Sequence, residues 1–224
     1  MKSNKYQKAA GSQIVRDALG SKLMLWYLIT SAITLPFILW GAFQTKQTLS
    51  ICIGFLFIVV QVYILFQMIL LYQKKKGKYL LHLALYCRIA GIILLILAVL
   101  AAILAVLSGY VNRVSNRNEH IEWWVLSGIA TLFVVLAAEM MFIRRALLQA
   151  NNLLTGKMIE KDAFLPAAIA SFVIIALVLI TNILNKSNQA PWLQWLLALN
   201  GVVHHAVLGL LFWRGSKEYR SKFM

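Results

Sequence analysis

Apolar and polar positions along this chain do not alternate; they segregate. Six stretches, 23–43, 50–72, 89–110, 122–143, 164–184 and 192–213, are almost continuously apolar, and polar residues gather between them. Each is longer than the roughly 18 residues that mark a helix able to cross about 30 Å of hydrocarbon. A transmembrane barrel strand would instead alternate apolar and polar side chains over about ten residues. Backbone groups in lipid must find their partners within the segment, so continuous apolar runs predict helices. The pattern predicts an all-α fold, a polytopic membrane helix bundle with six transmembrane helices. The first stretch does not read as a cleavable signal, because a basic segment of 22 residues precedes it and it ends in PFILWGAF.

Basic residues decide the threading, since lysine and arginine close to helix ends stay on the cytoplasmic side. Eighteen of the 22 lie in four segments: 1–22, 73–88, 144–163 and the tail after Trp213. The alternate loops hold only Lys46, Arg113, Arg117 and Lys186. Both termini are thereby expected in the cytoplasm of a multi-pass plasma-membrane protein. Residues 1–22 form a basic N-terminal segment, 23–213 the transmembrane domain and 214–224 a basic cytoplasmic tail. Composition agrees, because 61% hydrophobic residues, 13% charged residues and a mean hydropathy of +0.77 cannot cover a water-facing surface. A net charge of +15 would otherwise invite a nucleic-acid partner. Spread over four flanks it is topogenic, so the expected partners are the lipid bilayer and a membrane protein or second copy, with no nucleic acid. The densest run, QKKKGKY, also suits anionic lipid headgroups.

The flanks carry amphipathic patterns of their own. Leu147, Leu148, Leu153, Leu154, Met158 and Ile159 predict a short helix lying on the headgroup layer. Residues 79–87, YLLHLALYC, read as an interfacial lead-in or an inner extension of the third helix, and SQIVRDALGSK as a turn or two. Pro36 is expected to kink the first helix beside Thr30, Ser31 and Thr34, which would line a cavity there. Ala98, Ala101, Ala102, Ala105 and Gly109, and separately Ala167, Ala168, Ala170 and Ala176, predict close helix packing. No internal repeat stands out. Cys52 and Cys87 fall near opposite faces, which excludes a disulfide within one molecule.

Polar groups placed inside hydrocarbon are expensive, and so they mark candidate chemistry. At about 1.5 Å per residue, His204 lies roughly 18 Å in from Trp192, near mid-bilayer, with Gln61 at similar depth. Glu139 and Gln67 fall in the inner third, Arg88 enters from the cytoplasmic side near that level, and Asn200 sits in the outer third. Two clusters are expected: Gln61 with His204 and His205, and Glu139 with Arg88 and Gln67. Asn200 and His204 share one stripe of the last helix, while His205 lies about 100° away, so adjacent histidines cannot chelate one ion from the same face. Haem or metal ligation also lacks a second ligand at matching depth, and no cofactor is expected. The plainer reading gives one histidine an interhelical hydrogen bond and packs the other beside glycine, and gives Glu139 an ion pair with Arg88 or Arg144.

No G-x-S-x-G, H-E-x-x-H, Walker or G-x-G-x-x-G motif occurs, and Glu139 is the one plainly intramembrane acid, so catalysis is not expected. Two classes of function remain. One is an accessory, regulatory or immunity-type protein gripping a membrane partner through its helices, marked by a dry, paired interior and an exposed small-residue face. The other is a subunit for small-solute or proton-coupled transport, marked by a cavity reaching Glu139, Gln61, Gln67 and His204. The lack of a repeat inclines the sequence reading to the first.

Overall fold

The computed structural model describes the backbone of residues 2–44, 48–114, 123–157, 161–184 and 191–224. Side chains are described over 9–36, 58–110, 126–157, 161–180 and 198–224, with Phe55, Trp195 and Leu196. Among these residues there are seven helices and no strand: α1 Lys2–Leu19, α2 Lys22–Gln44, α3 Thr48–Lys74, α4 Gly77–Val114, α5 Trp123–Thr155, α6 Phe164–Leu184 and α7 Pro191–Phe223. Helices α2 to α7 pack as successive neighbours, and α7 returns to α2, so six helices close a ring in chain order. The first helix lies against α5 and α7 at one end of that ring.

Two described helical stretches, Gly77–Tyr110 and Leu126–Thr155, are long and apolar enough to cross a membrane. Ala9–Leu19 and Lys22–Pro36 pass the same test as a pair bent by 45°. This is fewer than the six runs expected. Stretches Ile58–Lys74 and Phe164–Ile180 are apolar but shorter, and α7 carries Asn200, His204 and His205 within it. Parts of the expected spans 23–43, 50–72, 122–143, 164–184 and 192–213 fall outside the described side chains.

Three flanks are continuous with the long helices, one of them, 79–87, as the inner extension that was one of its two expected forms. The segment from Arg144 extends α5 to Thr155 instead of forming its own helix on the headgroups, because nothing between those residues breaks a helix. It stops where Gly156 takes φ 74°, with Lys157 N–H donating to Asn152 O at 2.8 Å and Gly156 N–H to Leu153 O at 3.2 Å. The third expected helix begins at Gly77, absorbing 79–87, and the basic tail continues α7 to Phe223. At the amino end, α1 is eighteen residues, much longer than a turn or two. Its apolar face buries Ile14, Val15 and Leu19, and Gly11 is close enough to α5 that a Cβ there would lie 3.0 Å from Leu153.

The ring is tightest where side chains are smallest. Ala98, Ala101 and Ala105 of α4 are buried, as are Ala130 and Ala137 of α5, and Gly91 meets Met141 and the Ala137 carbonyl. Removing bulk lets the two backbones approach and gain dispersion contacts along their length. Ala102 faces outward and a Cβ on Gly109 would meet no described residue within 4 Å, so the packing stripe is narrower than the sequence suggests. Ala167 and Ala168 of α6 are wholly buried. The opposite face of α4 exposes Ile92, Ile96, Val99, Ile103 and Val106, an apolar exterior of the size that marks a lipid or protein contact.

Candidate functional site

The ring encloses a cavity of about 350 Å³. Every helix contributes to its wall, and the lining divides by chemistry. Toward α1 it is apolar, with Val15, Leu19, Leu71, Leu80, Ala150 and Phe212. Toward the middle of α2, α5 and α7 it is polar, with Tyr27, Ser31, Thr34, Glu139, Asn200, His204 and His205, and Gln61 facing it from α3.

Hydroxyls of α2 build one side. Thr30 donates to the carbonyls of Trp26 and Tyr27 at 3.1 and 3.0 Å, Ser31 to Tyr27 O at 2.8 Å and Thr34 to Thr30 O at 2.9 Å. Back-bonding of this kind uses the single hydroxyl proton within the helix and leaves the oxygen as an acceptor. Helix α7 supplies the donors. Asn200 Nδ2 donates to Thr34 Oγ1 at 3.0 Å, and His204 Nδ1 lies 3.2 Å from Thr30 Oγ1. The His204 ring rests on Tyr27 at 4.6 Å between centroids. So the Asn200 and His204 stripe of α7 faces α2, and α2 runs on through Pro36 to Gln44.

The neighbouring histidine faces the other way. His205 Nδ1 lies 2.9 Å from Glu139 Oε1 on α5, a contact in which the Nδ1–H tautomer donates to the carboxylate. Glu139 is 1% exposed, and its second oxygen, Oε2, is buried without a hydrogen-bond partner among the described residues. The two imidazoles stand edge to face at 5.4 Å.

The expected grouping of candidates is therefore rearranged. Glu139, Gln61, Asn200, His204 and His205 share one cavity. Arg88 is exposed and makes no ion pair with Glu139, because the long side chain of a residue on the outward face of α4 reaches solvent more cheaply than the ring interior. Gln67 is buried in α3 outside the cavity lining. Arg144 does not pair with Glu139 either. Among the described residues, no group of three or more His, Cys, Asp and Glu side chains gathers as a metal site. Tyr27 was not singled out from the sequence; its place one turn before Thr30 and Ser31 on a polar stripe of α2 is the signal that would have found it.

Compared with protein-family models, curated proteins and solved structures, the chain matches none.

Proposed function

We propose that this chain is a six-span membrane protein with both termini cytoplasmic, and that its helix ring holds a small solute as part of a transport process. The observation that carries the reading is the cavity, which reaches five of the seven polar residues picked out for their depth in hydrocarbon. Ligand sites of this kind are concave, mostly apolar and fitted with a few convergent polar groups. Support for the threading comes from packing. The α1–α2 corner meets the α3–α4 corner, where a Cβ on Gly20 would lie 2.8 Å from Lys75 Nζ, and Gly77 meets Asn151 at the end of α5. With Phe223 of the tail 3.5 Å from a Cβ on Gly11 of α1, the four basic flanks gather at one end of the ring, as one cytoplasmic face requires.

An accessory protein gripping a partner would favour a dry interior and a free small-residue face. Here the alanine stripe of α4 is spent on α5. The test is solvent access in the native membrane. In a background with Cys52 and Cys87 replaced by alanine, Q61C is expected to react with a small hydrophilic thiol reagent about tenfold or more faster than I96C on the outer face of α4, because hydrocarbon excludes the reagent and the thiolate. Equal, slow labelling at both positions rejects the chamber reading.

A further inference from the structure

We propose that the chamber takes an organic monocation, a protonated amine on a compact apolar body, with Glu139 Oε2 as the seat of the ammonium; this rests on the chamber reading above. Three observations converge. Glu139 is buried in the cavity wall with one oxygen held by His205 and the other without a partner, and a buried acceptor in that state is costly unless something donates to it. Among the described residues no lysine, arginine or aspartate lines the cavity, and Glu139 is its one carboxylate. Beyond the polar groups of the middle, the wall is apolar and aromatic, with Tyr27, Tyr86, Phe164 and Phe212 among the lining residues.

Each class of ligand meets that wall differently. An anion would face a carboxylate with no lysine or arginine among the described lining residues to offset it. A bare divalent cation favours several charged oxygens, and Glu139 is the one carboxylate among the described lining residues. A neutral hydrocarbon leaves Oε2 unsatisfied. An ammonium donates to Oε2, shares the cavity with aromatic rings of the kind that attract cations, and its apolar body extends toward Leu71, Leu80 and Phe212 at the α1 end. His205 fixes the carboxylate by holding Oε1, and Gln61 and Asn200 offer further acceptors for the remaining ammonium protons.

The test compares two probes of one shape. The full chain in lipid nanodiscs is titrated calorimetrically with cyclohexylmethylamine and with cyclohexylmethanol, against empty discs. The amine is expected to bind about ten- to hundredfold more tightly, the range of a hydrogen bond to a buried charged group. In E139Q the ratio is expected to fall close to one. In wild type alone, raising the pH past the amine's own titration, about 10.4 for a lysine-like group, is expected to remove the preference, which keeps the test open if E139Q does not fold. Equal affinities in wild type, or a preference that survives E139Q, overturn the ammonium assignment and leave the chamber standing. Binding of neither probe above empty discs, with Q61C labelling slowly, overturns both.

Discussion

Asp162 and Glu139 are both buried carboxylates, with side chains 4% and 0% exposed. Asp162, at the α5–α6 corner, is saturated. Its Oδ1 accepts the Phe164 and Leu165 amides at 2.9 and 3.3 Å, and its Oδ2 accepts from the Ser216 hydroxyl and from Arg220 Nε at 2.9 Å. It caps α6, meets the positive end of that helix dipole and ties α6 to the last turns of α7. Glu139 accepts one hydrogen bond and stands in the wall of a cavity. Full satisfaction is what a structural carboxylate needs in a low-dielectric setting, and a half-satisfied one is a site whose remaining capacity belongs to something else. The two acids are alike in burial and opposite in satisfaction, and on the proposed reading the contrast separates the part of the molecule that holds the ring together from the part that takes a ligand.

The largest effect should come from the saturated acid. D162A removes a helix cap, worth about 1 kcal/mol, and the charge-assisted bond from Arg220 together with the Ser216 contact, for a total loss of about 3 kcal/mol. D162N keeps an oxygen at the cap and is expected to lose about 1 kcal/mol. Reversible unfolding in mixed micelles, followed by helix content, measures both. A loss below about 0.5 kcal/mol for D162A, the range of an ordinary surface substitution, would break the contrast from the structural side.

A smaller effect is expected at Glu139, and its sign depends on the partner. H205A strips the carboxylate of its one hydrogen bond and should cost about 2 kcal/mol, because an unpaired buried charge remains. E139Q alone should cost less than about 1 kcal/mol, since it removes the charge that needed support. Adding E139Q to H205A should recover most of the loss, giving a coupling of about 1 kcal/mol or more in the cycle. If E139Q were as damaging as D162A, Glu139 would be a structural residue and the contrast would fail.

What the sequence made legible here was depth and period. Continuous apolar runs located the helices, and counting residues from their ends put Gln61 and His204 at one level, while Glu139, expected in a separate inner cluster, lines the same cavity. The divergence of His204 and His205 was readable from helical geometry, and they do face different helices, α2 and α5. Azimuth on different helices was not readable. Arg88 and Glu139 lie at similar depth on adjacent helices, yet one turns outward and the other inward, and depth alone cannot distinguish these. Helix ends were misjudged where charge was taken as a boundary. At Arg144 and Trp213 the chain leaves its apolar stretch while the helix continues, because composition changes there without any residue that stops the backbone ladder. Asp162 passed unnoticed among basic flanks, although an aspartate shortly before Pro166 and an apolar run has the form of a helix start.

The smallest expected effect lies beside Asp162 and tests whether its charge is felt by its neighbours. Tyr219 is buried in α7, with its ring edge-on to Phe164 at 6.3 Å and tilted on Phe223 at 5.1 Å. Burial raises its phenol above the ordinary value of 10.0, the negative charge of Asp162 adds to that, and a hydrogen bond with Gln149 works the other way. A raised folded-state value means that the folded chain holds the proton more tightly than the unfolded chain. The contribution is then fully present below the ordinary value and is lost as pH rises through the folded one. Wild type should therefore lose stability above about pH 10 relative to Y219F, which has no phenol to titrate, while the two run parallel from neutral pH to about pH 9. Introducing D162N should shrink that alkaline difference, because the second cause of the shift is removed and only burial remains. If the alkaline difference is the same with and without the Asp162 charge, the Asp162 knot holds α6 and α7 together through geometry and hydrogen bonds, without its field reaching the neighbouring ring.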